Sequence, residues 1–277
     1  MAVAGRARDS LGSVPMVSSS EAARAWPASL VLVRHGESIG NLEARWAAEA
    51  GRARLQLDYR DPDTPLSDAG RRQAEALGRW WAEQAGDERP EVVLTSPYRR
   101  AADTARTAVQ TAGLGLDVRP DERLRERDLG AFDGLTASGI KELYEAEAER
   151  RARTGKLYYR PPGGESWCDV ALRVRSLLLT WREEYAGRRV AVFTHQAVIM
   201  CHRLVLEHLS EEVLLEADRG DPLANCSMTR YSAGDDGRLA LVRYNDTAAM
   251  EHGDAAPVTE EPDAEEPDPA AADAKGA

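Results

Sequence analysis

Three short apolar runs punctuate the chain, each rich in β-branched residues and each halted by polar ones. Ser29-Leu30-Val31-Leu32-Val33 stops at Arg34-His35-Gly36, Glu91-Val92-Val93-Leu94-Thr95 runs into Ser96-Pro97, and Arg189-Val190-Ala191-Val192-Phe193-Thr194 runs into His195. Runs that are apolar throughout, rather than at alternate positions, suit strands buried on both faces, as parallel strands are. Between and after them the apolar residues recur at helical spacing, which predicts helices over 67–84, 99–112, 167–185 and 197–208. A strand over 228–232, paired with one over 239–244, is expected to close the domain. Strand, polar turn and helix in alternation indicate an α/β protein with a mostly parallel central sheet and helices on both faces. Ligands bind such sheets beyond the carboxyl ends of the strands, which is where His35 and His195 fall.

The pattern fades at both ends. Residues 1–28 are dominated by small polar residues and read as a flexible leader; residues 247–277 alternate Ala, Asp, Glu and Pro and read as a disordered acidic tail. No composition break or internal repeat divides residues 29–246, so one domain is expected there. The net charge of −11 is concentrated in the tail, which contributes −8 and leaves −3 for the other 246 residues. That balance argues against a broad electrostatic grip on nucleic acid or anionic lipid, while permitting a local basic pocket. No apolar run approaches the length of a membrane span, and none in the first 28 residues makes a signal peptide. Cys168, Cys201 and Cys226 are widely spaced and odd in number, fitting neither a zinc site nor a disulfide framework. Free, buried or partly buried thiols and a cytoplasmic location are expected.

Charged residues recur at the strand ends. Arg34 and His35 follow the first run, Arg100 follows the second after Thr95-Ser96-Pro97, and His195 follows the third. Glu126 lies in Leu124-Arg125-Glu126-Arg127-Asp128-Leu129-Gly130, a segment too irregular for a core element. Taken singly, each has an ordinary structural reading. Together, two Arg, two His and one Glu suit a phosphoryl group: guanidinium forks hold its oxygens, an imidazole nitrogen attacks phosphorus, and a carboxyl group protonates the leaving alkoxide and later activates water.

The longer motifs carry a resemblance. Leu32-Val33-Arg34-His35-Gly36-Glu37-Ser38-Ile39-Gly40-Asn41 resembles the signature of the histidine phosphatase superfamily, in its phosphoglycerate mutase-like branch. In the expected order follow residues 65–74 (beginning Pro65-Leu66-Ser67-Asp68-Ala69-Gly70), residues 95–105 (with Ser96-Pro97-Tyr98-Arg99-Arg100-Ala101), residues 124–134, Pro161-Pro162-Gly163-Gly164-Glu165-Ser166 and Thr194-His195-Gln196-Ala197. The resemblance spans residues 29–232 and implies the three-layer αβα sandwich of that branch. It also implies that His35 is the nucleophile and Arg34 and Arg100 bind phosphate. His195 would hydrogen-bond the transferring oxygens, and Glu126 would be the general acid and base. Ser38 and Asn41 fall where the family places additional phosphate or substrate contacts, and Gly36 where backbone approaches the bound phosphate. Arg99 is expected on a helix surface. No metal or other cofactor is implied, and a homodimer is compatible with the resemblance.

A phosphatase and a mutase share this constellation. Known mutases carry a longer basic insert before the motif matching 161–166; here 137–160 is short, although Arg150, Arg151, Arg153, Lys156 and Arg160 make it basic. Those residues could read a second anionic group or simply form a solvated face. Gln196 replaces the glycine usual after the mutases' second histidine and resembles the fructose-2,6-bisphosphatase branch. A phosphatase of a sugar phosphate or another small phosphomonoester is therefore the first reading, a phosphoglycerate mutase the second, and a catalytically silent binding or regulatory module the third. Residues 46–64 exceed what a minimal family member needs and read as a lid or a partner surface. His202 and His208, six residues apart, fall on different helix faces and do not suggest a metal pair. Trp80-Trp81 and Tyr158-Tyr159 read as packing or a substrate rim rather than a base-stacking platform. Gly163-Gly164 lacks a dinucleotide pattern and reads as a turn into the helix from Ser166.

Overall fold

The computed structural model describes residues 26–252 and 255. Its centre is a six-stranded sheet ordered β3-β2-β4-β1-β5-β6, formed by β1 (Ser29–Arg34), β2 (Val92–Thr95), β3 (Val118–Pro120), β4 (Arg189–Thr194), β5 (Met228–Ala233) and β6 (Leu239–Asp246). The first four strands are parallel, and β5 and β6 add an antiparallel edge next to β1. The mixed α/β architecture with a mostly parallel sheet is as the alternation implied.

The apolar runs are continuous because both sheet faces are covered. Leu30, Leu32, Val190 and Val192 point into one core with α6 (Trp167–Glu184) and α7 (Gln196–Leu206), whose Trp167, Val174, Leu177, Trp181 and Met200 fill it. Val33, Ala191 and Phe193 point into the other with α2 (Asp68–Glu83) and α3 (Arg99–Thr111), through Leu77, Trp81, Ala105 and Ala108. The α2–α3 approach is close: a Cβ on Gly78 would lie 2.7 Å from the Ala108 carbonyl oxygen. Trp81 packs edge-on against Phe193 and Trp80 lies beneath the Arg230 guanidinium, so this pair is packing. Tyr159 is buried and donates to Glu147 at 2.7 Å, whereas Tyr158 is exposed.

Helix starts follow local chemistry. Ser67 caps α2 by accepting from Gly70 N–H at 3.0 Å, and Ser166 caps α6 in a reciprocal pair with Asp169. The predicted helix over 197–208 ends earlier, at Leu206, and His208 adopts φ 54°, outside it. Four helices lack an obvious apolar stripe and are visible only in the structure. They are α1 (Ile39–Glu49), α4 (Ala137–Leu143), α5 (Glu145–Thr154) and α8 (Glu211–Gly220).

The ends need correction. Trp26, within the expected leader, packs on the α6 side of the core with the Arg182 guanidinium 5.1 Å from its ring, and its carbonyl accepts from Gly187. The fold also continues past 246: α9 (Ala248–His252) packs on α2, and Ala249, Met250 and Ala255 are buried in the second core. Composition hid this because one short apolar patch precedes a long acidic run. Residues 1–25 and most of 253–277 lie outside the described residues.

Gly70 tests how tightly α2 is set against the β1 loop. A Cβ there would sit 2.0 Å from the Glu37 carbonyl oxygen. Gly70→Ala should cost about 1–3 kcal/mol, lowering the melting temperature by about 2–4 °C per kcal/mol in a scan by circular dichroism.

Candidate active site

The strand register assembles the site. Arg34 pairs with Thr194, so the residues just beyond, His35 and His195, stand side by side, and His35 N–H donates to the Thr194 carbonyl at 2.9 Å. Their ring centroids are 5.1 Å apart with planes tilted by 59°. On the far side of β4, Thr95 pairs with Phe193, which places Ser96 next to His195. Ser96 N–H continues the ladder to the Phe193 carbonyl, its Oγ accepts from Tyr98 N–H at 3.1 Å, and Oγ lies 2.8 Å from His195 Nε2.

These contacts fix the imidazoles chemically. His35 Nδ1 lies 2.8 Å from the Gly36 carbonyl oxygen, which can only accept, so Nδ1 carries the hydrogen and Nε2 the lone pair. Burial, then the charges of Arg100 and Arg34, hold His35 well below the ordinary imidazole range. Burial, then Arg100, His35, Arg173 and Arg34, do the same for His195. Both rings are neutral at pH 7. His195 Nε2 shares a hydrogen bond with the Ser96 hydroxyl, and its Nδ1 is a buried atom with no partner among the described residues.

Arg34 is fully buried. Its Nη1 donates to the Leu223 carbonyl, its N–H to the Ser227 carbonyl at 3.2 Å, and its own carbonyl accepts from Cys226 N–H at 3.0 Å. Asn225 Nδ2 donates to the His35 carbonyl at 3.0 Å, so the turn before β5 cradles the backbone of both residues. Arg100, in the first turn of α3, is also buried. Its Nη1 donates to the Asp61 carbonyl and to Asp61 Oδ1, each at 2.8 Å, and its guanidinium lies 5.2 Å from the Tyr98 ring. Arg99 is exposed and pairs with Asp103 at 3.4 Å, as a helix-surface residue should.

Glu126 is half-buried, and its Oε1 accepts from Arg127 N–H at 2.7 Å. Its loop is held from below. Thr194 Oγ1 donates to the Leu124 carbonyl at 2.8 Å, and Arg173 donates to the carbonyls of Arg123 and Glu126 at 2.6 and 3.2 Å. Glu165 accepts from Arg173, from Arg125 at 2.6 Å and from Asp128 N–H at 3.1 Å. The Gly163-Gly164 turn is therefore also a brace. Gly130, at φ +54°, would place a Cβ 2.3 Å from the Pro162 carbonyl, and one on Gly164 would lie 2.5 Å from the Asp128 carbonyl, so the two loops interlock. Glu126 also acts on Tyr98, whose phenol burial and Asp61 chiefly push up to about 12. Tyr98 lies edge-on to His195.

Ser38 and Asn41 lie close by but serve the start of α1. Asn41 N–H donates to Ser38 Oγ at 3.1 Å, and Ser38 N–H donates back to Asn41 Oδ1 at 3.0 Å. At Gly36 a Cβ would meet the Gly70 carbonyl oxygen at 2.6 Å, so helix packing by itself demands the glycine. Glu37 is buried under Arg45 and Ser67, each 2.6 Å away. The basic stretch is mostly paired: Lys156 with Asp218 at 2.9 Å, Arg160 with Asp169 at 2.8 Å and Arg150 with Glu147 at 3.7 Å. Cys201 and Cys226 are buried and Cys168 partly so, all free thiols. Among the described residues no group of three His, Cys, Asp or Glu could hold a metal ion, and no helix is long and apolar enough to cross a membrane. Sequence reasoning did not single out Ser96, Asn225, Arg173 or Asp61; only the first carried a local signal, its place directly after an apolar strand.

A parallel sheet that delivers two neutral imidazoles beside two buried guanidinium groups defines a class that moves phosphoryl groups through histidine. The chain belongs to the histidine phosphatase superfamily (branch 1), whose sequence model matches residues 30–247. A 2,3-bisphosphoglycerate-dependent phosphoglycerate mutase of Gloeobacter violaceus is 36% identical over 192 residues, covering 67% of this chain and 78% of that one. A glucosyl-3-phosphoglycerate phosphatase of Mycobacterium tuberculosis is 35% identical over 178 residues, covering 61% and 71%. Among solved structures, the mycobacterial glucosyl-3-phosphoglycerate phosphatase complexed with VO3 aligns with TM-score 0.58 and 30% identity over 79% of this chain and 99% of that one. The Bacillus stearothermophilus protein YhfR aligns with TM-score 0.63 and 26% identity, covering 80% and 98%. The protein is thus an enzyme of the phosphoglycerate mutase-like type, in a family that works through a phosphohistidine intermediate.

Buried neutral histidines make stability depend on acid. His202, whose Nδ1 donates to the Val198 carbonyl at 2.8 Å and whose ring stacks on Trp181, is lowered to about 4 by burial. Its unfolded value is near 6.5, so as pH falls below that the unfolded chain takes up the proton first. Stability should therefore fall from pH 6.5 toward 4, at up to about 1.4 kcal/mol per pH unit for each such imidazole. Urea unfolding at stepped pH should show this decline, with a shallower slope in His202→Phe.

Proposed function

We propose that the protein is a metal-independent phosphatase of a small phosphomonoester, with a sugar phosphate as the favoured class, acting through phosphohistidine on His35. The observation that carries this reading is the fixed, neutral tautomer of His35. Its Nδ1–H is tied to the Gly36 carbonyl, which leaves the Nε2 lone pair as a nucleophile without prior deprotonation.

In the first step Nε2 attacks phosphorus while the bond to the leaving oxygen breaks, and Glu126 gives that oxygen its proton. Arg34 and Arg100 hold the equatorial oxygens, and His195 donates its Nδ1–H to one of them. In the second step Glu126 takes a proton from water, the water oxygen attacks phosphorus, the P–N bond breaks and His35 is regenerated. The two helices that start after His195 and Tyr98 have N-cap residues in ring contact, and helix amino termini favour the phosphoryl charge. Ser38 and Asn41 act at one remove, by fixing the α1 start that follows the His35 loop.

Hydrolysis is favoured over mutase transfer by the pairing of Lys156, Arg160 and Arg150 with acids, which leaves these residues poorly suited to retaining a second anionic group. The mutase is the second reading, since a mutase is among the relatives. A silent binding module would have no need of a buried nucleophile held in one tautomer. The substrate is expected to be the partner that matters, without nucleic acid or membrane.

Phosphate release from p-nitrophenyl phosphate should survive a chelator and fall by at least about 10³-fold in His35→Ala, as loss of a nucleophile does. Rapid quenching of the wild type should trap an acid-labile phosphoenzyme that the variant lacks. Primer-dependent equilibration of 3- and 2-phosphoglycerate at a rate exceeding hydrolysis would instead establish the mutase.

A further inference from the structure

Asp61 has no role in the two steps above, yet it engages the guanidinium of Arg100 through three contacts. Nη1 donates to its backbone carbonyl and to Oδ1, each at 2.8 Å, and Nη2 reaches Oδ2 at 3.3 Å. We propose that Asp61 is a positioning residue for phosphoryl binding, fixing the orientation in which the Arg100 guanidinium meets the phosphoryl group. The proposal rests on Arg100 as a phosphate-binding group.

Two features separate this from a carboxylate that merely occupies the phosphate's place. The first is the carbonyl contact. Both Nη1 hydrogens are directed to one residue, one of them to a backbone oxygen that carries no net charge and cannot swing away as a side chain can. The second is how the turn is fixed. Asp61 opens a 3-10 turn with Pro62 at its second position, and Thr64 N–H donates to the same Asp61 carbonyl at 3.2 Å. The chain then runs back along the His35 loop. Leu66 bridges Ser38 in antiparallel fashion, Ile39 N–H donates to the Pro65 carbonyl at 3.0 Å, and Ser67 N–H donates to the Glu37 carbonyl at 2.9 Å. One stretch of backbone therefore ties Arg100 to the loop that begins at the nucleophile.

The other end of the same segment is tied toward Glu126. Leu55 N–H donates to the Gly134 carbonyl at 2.9 Å, and Thr136 N–H donates to the Ala53 carbonyl at 3.1 Å, both in the chain that follows the Glu126 loop. Residues 53–67 thus link Arg100 to the His35 loop on one side and to the chain after the Glu126 loop on the other. Their function is to hold Arg100 at the angle required for in-line transfer, where misplacement by an ångström is costly.

Asp61→Ala and Asp61→Asn in the full chain test this. Binding of inorganic phosphate is read by calorimetry, and kcat and KM are read separately with p-nitrophenyl phosphate. Asp61→Ala should weaken phosphate binding and lower kcat/KM by roughly 10- to 100-fold, through kcat as well as KM, with the melting curve little changed. Asp61→Asn keeps an acceptor oxygen and the carbonyl contact, and should fall between Ala and wild type. Tighter phosphate binding with a lower KM in either variant would make Asp61 a competitor of the substrate and overturn the proposal. Variants that match the wild type would overturn it equally, while leaving the phosphatase reading intact. A wild type that neither binds nor releases phosphate would bring down both.

Discussion

The parallel pairing of β1 with β4 governs both the body of the molecule and its chemistry. Arg34 stands opposite Thr194, so the last rung of the sheet is also the first contact of the site, and His35 donates into it. A register shift of one residue would turn Leu30 and Leu32 into the wrong core and separate two histidines that are 160 residues apart in the chain. Pairing of β4 with β2 extends the same rung to Ser96. The hydrogen bonds that close the sheet are therefore the ones that orient the reactive groups, and the site inherits the rigidity of the core.

Gathering arginines and histidines below the surface is costly unless each charge is answered. The histidines answer by staying neutral. The Arg34 guanidinium donates to the Leu223 carbonyl in the turn before β5, and Arg100 is held by the Asp61 turn. Arg173 and Arg125 share Glu165, Lys156 has Asp218, and Arg45 has Glu37. Positive charge at this end of the sheet is thus counterbalanced almost residue by residue. The groups proposed to meet a phosphoryl oxygen are few and fixed, which is what transition-state stabilisation by preorganised charge requires.

Much of this was legible in the chain. β1, β2 and β4 were readable because burial on both faces makes their runs continuously apolar, and the residues that end them are the ones the proposed mechanism draws on. α2, α3 and α6 announced themselves through apolar spacing, and α2 and α6 also begin at serine caps. α5 was silent because Glu145–Thr154 buries no residue, and α1 because Asn41, Glu43 and Ala47 are what it buries. Asp61 and Arg173 could not be found by pattern, since each acts through a partner far away in sequence, Arg100 and the carbonyls near Glu126. The terminal boundaries were misplaced because a single tryptophan or one Ala-Ala-Met patch is enough to dock a chain that composition calls polar.

The two cores are built of different stock. The layer beneath α6 and α7 is filled by Trp, Leu, Val and Met, whereas the one beneath α2 and α3 is lined by Ala76, Ala105, Ala108, Ala112 and Ala191 around a few large side chains, with Gly78 at the closest approach. Their tolerance to sequence drift must differ in sign. The first layer is vulnerable to loss of volume, where truncation opens a void; the second is vulnerable to gain, where one added methyl group has nowhere to go. Divergence in this protein should therefore be directional, with large residues trading among themselves on one side of the sheet and small residues held small on the other.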